Sequence, residues 1–156
     1  LGIVGTGNVG SGALQILSQN AAALAAKLGF PLVVSAVSSR NITSKNVSDF
    51  PAGARLTPDW NSVATAPDVD LVCELIGGTT VAKELIETAL RAGKTVVTAN
   101  KELMALEGPA LYALARQHGA SLHMEASVAG GIPIHAVLRE GISADSIQAF
   151  FGILNG

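Results

Sequence analysis

The chain has 156 residues, a formal net charge of −2 and 49% hydrophobic residues, with aromatics held to 4%. That length suits one ordinary domain with a sizeable core, and the lack of any basic run or aromatic–basic interleaving excludes nucleic acid as a partner. No apolar run reaches the roughly 20 residues that a bilayer span needs, so no membrane partner is expected.

Charged residues amount to 14%, against roughly a quarter in ordinary soluble domains. An apolar surface that meets a dimer partner or a further domain is therefore expected. The single cysteine, Cys73, excludes an internal disulfide framework and fits a reducing, cytoplasmic compartment. It lies in an apolar run and reads as a small buried hydrophobe. No signal peptide is visible.

In chain order, Leu1 to Val4 reads as a short strand running into a glycine turn. A long Ala/Leu helix follows from Val9 to Leu28, ended by Gly29 and Pro31. Leu32 to Val37 is a second strand, apolar throughout as strands covered on both faces are. Ser39 to Ala66 reads as a long polar connection with one helical turn near Trp60, itself a packing anchor. Asp70 to Ile76 is the third strand and Val81 to Ala92 its helix. Thr95 to Ala99 is the fourth strand, followed by a helix over Glu102 to His118 interrupted near Gly108-Pro109. Ser121 to Ala126 is the fifth strand, Pro133 to Glu140 a short helix, and Ser146 to Ile153 a further strand. This alternation predicts an α/β fold, a Rossmann-type doubly wound parallel sheet.

Gly5-Thr-Gly7-Asn-Val-Gly10 stands between strand and helix, the context in which this fingerprint is specific. Gly5 permits the tight turn, Gly7 lets backbone approach a pyrophosphate, and Gly10 lets helix and strand pack closely. The helix N-terminus then offers unpaired N–H groups to phosphate. At the end of the second strand, where NAD binders usually place an acid, the chain has Ser38-Ser39-Arg40 and no acidic residue before Asp49. Lys27, Arg40 and Lys45 are the only formal side-chain charges up to that point. A 2′-phosphate would be attracted, so NADP is favoured over NAD, with Arg40 as its contact; the alternative is a solvated loop arginine.

Thr79, after Ile76-Gly77-Gly78, is placed to bond ribose or nicotinamide, and either it or Thr80 is a candidate cap of the next helix. Ala99-Asn100-Lys101 ends the fourth strand on the same ligand edge. Lys101 is read as binding a carboxylate or assisting proton transfer to an alcohol or aldehyde oxygen; a solvated lysine opening a helix is the alternative. Asn100 caps that helix, orients the nicotinamide amide, or does both. Glu125 precedes a turn hinged on Gly130 and Gly131, with Pro133 fixing its exit. A carboxylate with several carbonyls suits a hard, monovalent cation, while a structural turn with Glu125 bonded to backbone N–H groups is the simpler alternative. No Cys/His cluster supports zinc, and His118, His123 and His135 read as structural or surface residues.

Four segments together resemble homoserine dehydrogenases: Gly5-Thr-Gly-Asn-Val-Gly10, Glu74-Leu-Ile-Gly-Gly78, Thr98-Ala-Asn-Lys-Glu-Leu-Met-Ala105 and Glu125-Ala-Ser-Val-Ala-Gly-Gly-Ile-Pro-Ile134. Gly152-Ile-Leu-Asn-Gly156 resembles that family's approach to its catalytic domain. The resemblance implies interconversion of L-homoserine and L-aspartate 4-semialdehyde with NADH or NADPH, in threonine and methionine biosynthesis. It implies cofactor contacts from Gly7, Asn8 and Val9, with Thr79 and Lys101 lining the nicotinamide side and Lys101 serving proton transfer. It also implies a sodium site of Glu125 with the carbonyls of Val128, Gly130 and Ile132. Residues 1–134 would then be the NAD(P)-binding domain and 135–156 the start of a substrate-binding and dimerisation domain. The resemblance further implies a homo-oligomer in the full-length protein and a fragment inactive alone. A related dehydrogenase, such as one acting on aspartate, or a non-catalytic dinucleotide-binding module are the alternatives.

Overall fold

The computed structural model describes residues 1–152. Among these, six parallel strands form one sheet: β1 (Gly2–Val4), β2 (Ala36–Ser38), β3 (Arg55–Thr57), β4 (Leu71–Glu74), β5 (Thr95–Thr98) and β6 (Leu122–His123), in the spatial order β3-β2-β1-β4-β5-β6. This is the doubly wound order, with the sequence reversing direction at β1 and leaving a crevice beyond its carboxyl end. The helices are α1 (Asn8–Gln19), α2 (Ala21–Leu28), α3 (Asn61–Ala64), α4 (Val81–Arg91), α5 (Lys101–Gln117) and α6 (Ile134–Ala136).

Strand alternation divides the core in two. Val4, Ala36, Val72, Val96 and Leu122 face α3, α4 and α5, which bury Val63, Leu85, Ile86, Leu90, Leu103 and Leu111 against them. Ile3 and Val37 face the other way, onto Leu14 of α1 and Ile42 of the loop after β2. The pairing register sets Thr57, Ser38, Val4, Glu74 and Thr98 in one row across the carboxyl end of the sheet. The loops that leave β2, β3 and β4 from this row line one cavity. At the opposite edge Lys94 is buried, and its ammonium donates to the carbonyls of Ala66 and Val69, closing the strand ends there.

Six elements differ from the sequence expectation. The first helix is two: the side-chain Nδ2 and the backbone N–H of Asn20 both donate to the Ile16 carbonyl, each at 3.0 Å. An asparagine competes in this way with the helix's own ladder, and α2 restarts from it. The second strand begins at Ala36 rather than Leu32, because residues 32–34 run past the start of β1; only Leu1 reaches back, to Val33 and Ser35. The polar connection holds an unanticipated strand, β3, whose three residues, Arg-Leu-Thr, are too few for their alternation to signal it. Helix α5 continues through Pro109: Pro109 and Ala105 lie on its exposed face, so water can reach the carbonyl left without a donor.

At the carboxyl end, β6 stops at His123, and Glu125–Ser127 form a 3-10 turn instead of finishing the strand. The predicted helix after Pro133 is present as α6 continuing into a π turn over Val137–Gly141. The strand expected over Ser146 to Ile153 is not formed at 146–152, and Ile153 lies outside the described residues. An apolar run becomes a strand only against a partner; here Ile147, Phe150 and Phe151 are exposed.

Cys73 packs against the second core cluster, as its apolar surroundings suggested. Burial pushes its thiol up to about 11. Because the proton is held more tightly, the reactive thiolate at pH 8 falls to about a thousandth of the population. A chromogenic disulfide reagent at pH 8 is expected to label the native chain about a hundredfold more slowly than the chain in denaturant; equal rates would contradict this burial.

Candidate functional site

The glycine turn is shaped by contact. Gly5 has φ +106°, and a Cβ there would lie on the Leu75 carbonyl. A Cβ at Gly10 would strike the Gly5 carbonyl, so α1 sits directly on the turn that precedes it. Gly7 differs: nothing lies within 4 Å of the place its Cβ would occupy. Two glycines therefore serve packing and one faces open space, the division that a closely approaching ligand requires.

Asn8 and Val9 are exposed at the first turn of α1, with Val9 at 58%. Gly7 gives α1 no side-chain cap, and no acidic residue stands in its first turn. The free N–H groups and the positive end of the helix are thus unopposed by the helix's own residues. The Thr6 carbonyl accepts the Ser11 hydroxyl at 3.2 Å and the Lys45 ammonium at 2.8 Å. The Thr6 hydroxyl is buried without a partner among the described residues.

A cavity of about 440 Å³ opens at the carboxyl end of β1, lined by Val4, Ser38, Arg40, Trp60, Thr79 and Val81 among others. It extends from the end of β2 to the start of α4, so Arg40 and Thr79 border one space. Trp60 is more than a packing anchor: it packs on the main core and also forms part of this wall. Thr80 holds the N-cap position of α4 without a side-chain bond.

The hydrogen-bonded centre of the site is a residue that the motif Glu74-Leu-Ile-Gly-Gly78 contains but to which sequence reading gave no role. Glu74 is fully buried. Its Oε1 accepts the N–H groups of Ile76 at 2.9 Å and Gly77 at 3.1 Å, and its Oε2 accepts the Thr98 hydroxyl at 2.6 Å. Thr98 Oγ1 in turn accepts the Asn100 N–H at 3.0 Å. The Asn100 side chain donates to the Gly78 carbonyl at 2.6 Å and accepts the Leu103 N–H at 3.1 Å, capping α5. Ser127 donates to the Thr98 carbonyl at 3.0 Å. An acid at the end of an apolar strand, in step with buried Val72, was the signal available in the sequence.

Lys101 opens α5, exposed, and none of the ion pairs among the described residues engages it. Its ammonium stands where the helix dipole favours an anion, free to meet one. Glu125 accepts the His135 N–H at 3.0 Å, the backbone contact weighed as the structural alternative. Ala129 and Gly130 both have φ +58°, and Ile132 donates to the Ala129 carbonyl at 3.1 Å. His118 and His123 are exposed, and His135 is half-buried with Nε2 unpartnered among the described residues. No group of three or more His, Cys, Asp or Glu gathers to hold a metal among those residues, and no helix there is long and apolar enough to cross a membrane.

A glycine turn packed in this way, at the reversal point of a doubly wound parallel sheet, defines a dinucleotide-binding domain of the Rossmann class. Residues 5–125 match the family described as "Homoserine dehydrogenase, NAD binding domain". The homoserine dehydrogenase of Bacillus subtilis is 42% identical over 156 residues, covering all of this chain and 36% of that protein. That of Pseudomonas aeruginosa is 43% identical over 157 residues, covering all of this chain and 35% of it. The crystal structure of a homoserine dehydrogenase from Thiobacillus denitrificans superposes with a TM-score of 0.83 at 40% identity, over 92% of this chain and 33% of that one. The chain belongs to the homoserine dehydrogenase family, in which it matches the NAD-binding domain, and it spans about a third of the length of these relatives.

The buried acid makes a stability prediction. Glu74→Ala leaves the Ile76 and Gly77 N–H groups and the Thr98 hydroxyl without their acceptor, a loss of about 3 kcal/mol. Urea unfolding should show that loss, and Thr98→Val in the same background should cost less than it does in wild type.

Proposed function

We propose that this chain forms the cofactor-binding half of a cytoplasmic homoserine dehydrogenase that interconverts L-homoserine and L-aspartate 4-semialdehyde. The observation that carries the reading is the uncapped start of α1 above Gly7, with open space over that glycine and no acid in the first turn. Gly5 and Gly10 shape this turn; Gly7, Asn8 and Val9 would hold the pyrophosphate. Pro58 and Trp60 offer a flat apolar wall in the adjoining cavity, suited to a purine ring.

NADP is the favoured cofactor. Neither Asp nor Glu lines the cavity, and Arg40 borders it at the end of β2, where a 2′-phosphate would be met. The bound nicotinamide supplies or accepts the hydride. Thr79 borders the cavity ahead of it, and Asn100 holds the Gly78 loop in place. Lys101 gives its Nζ proton to the carbonyl oxygen during reduction and takes it back during oxidation. Substrate-binding groups and a homo-oligomeric contact would come from the portion of the relatives that this chain does not span, so the domain alone binds cofactor without turnover.

Glu125 with the carbonyls of Val128, Gly130 and Ile132 would hold sodium. The donor set is all oxygen, as a hard monovalent ion prefers, and Ser127 fastens the turn to β5 beside Lys101. Sodium-23 line broadening by the chain should then disappear in Glu125→Gln; unchanged broadening would leave Glu125 a purely structural acceptor.

Calorimetric titration tests the cofactor reading. NADPH is expected to bind at least about tenfold tighter than NADH, about 1.4 kcal/mol, with that lead lost in Arg40→Ala. Failure of both to bind a chain whose circular dichroism is native would reject it. In the enzyme carrying this domain, Lys101→Met should lower kcat about 100-fold or more while the Kd for NADPH stays within about twofold; an unchanged kcat would remove Lys101 from proton transfer.

A further inference from the structure

Lys45 is a second cation of the cofactor site, and its position is set by the fold. It follows a 3-10 turn, Ile42–Ser44, whose first residue is buried in the core beneath α1. The backbone N–H of Lys45 closes that turn onto the Ile42 carbonyl at 3.2 Å. Its half-buried side chain then reaches back 39 residues to donate to the Thr6 carbonyl at 2.8 Å. A lysine in a polar loop ordinarily extends into water; this one is drawn into the glycine turn.

That placement is electrostatically one-sided. The start of α1 already carries partial positive charge, and a full cation one peptide away is unfavourable there. The Thr6 carbonyl dipole offsets only part of it, α1 has no acid in its first turn, and the Thr6 hydroxyl beside it is buried without a partner. An anion arriving at Gly7 would offset both the Lys45 charge and the uncapped start of α1. Lys45 is not among the residues lining the cavity that Arg40 borders, so the two cations stand at different places on a bound dinucleotide.

Building on the cofactor reading above, we infer that Lys45 is a positioning residue for the pyrophosphate: it holds the glycine turn through Thr6 and adds charge there, while Arg40 meets the 2′-phosphate. The role separates Lys45 from cofactor selectivity. It acts equally on any ligand with a pyrophosphate.

The test is calorimetry of the chain with ADP-ribose, which has the pyrophosphate, and with 2′-AMP, which has only the adenosine and 2′-phosphate. Lys45→Met is expected to weaken ADP-ribose about tenfold and leave 2′-AMP unchanged. Lys45→Arg should restore most of the loss, and raising the salt should narrow the gap between wild type and Lys45→Met. Lys45→Gln keeps a donor without the charge: if it binds ADP-ribose as wild type does, Lys45 is only a staple of the turn and the inference fails. A loss confined to 2′-AMP, or none at all, also overturns it. Wild type that binds neither ligand overturns the cofactor reading itself.

Discussion

A carboxylate cut off from water is stable only when both oxygens are met, and it then dictates where its partners lie. Glu74 occupies that position at the end of β4. One oxygen gathers the N–H groups of Ile76 and Gly77 in the following loop, and the other takes the hydroxyl of Thr98 across the sheet. The register makes this pairing possible, since Glu74 and Thr98 are direct neighbours on one face. From Thr98 the order passes to Asn100, which caps α5 and grips Gly78. The loop beside the cavity, the start of α5 and the emergence of Lys101 thus descend from a single buried acid.

The two halves of the crevice treat backbone N–H groups in opposite ways. Around β4 they are consumed internally, by Glu74, so that half is closed and rigid. At the start of α1 they are left without a side-chain cap, with exposed Asn8 and Val9 at the rim. Polar groups are normally satisfied within a fold, and the half where they are not is the half built to receive an anion. Lys45 brings a cation to the same turn from the loop after β2, whereas Arg40 in that loop borders the cavity.

Sequence reading identified the doubly wound fold and the glycine turn because both rest on local signals: apolar strands of fixed length, and glycines where a Cβ has no room. It located Lys101 and Glu125 just past the carboxyl ends of β5 and β6 for the same reason. What it missed is non-local. β3 exists through its pairing with β2 and has no pattern of its own. Asn20 breaks a helix through one side-chain bond, and Pro109 fails to break another because of the face it lies on. Glu74 reads as one more strand residue until the register puts Thr98 opposite it. Lys45 reads as loop charge until the chain folds it 39 residues back onto Thr6.

The turn after β6 extends this logic to the far side of the crevice. Ala129 holds φ +58° without being glycine, followed by Gly130 at the same angle. A left-handed alanine costs about 1 kcal/mol and persists only where its surroundings impose it. Here both flanks are tied: Ser127 to the Thr98 carbonyl before it, and Glu125 to the His135 N–H across it. Relaxing the alanine would strain one tie or the other. The strain therefore sits in a short segment anchored, through Ser127, to the same strand end that Glu74 anchors. The left-handed pair Ala129-Gly130 is what a turn held at both ends in this way requires.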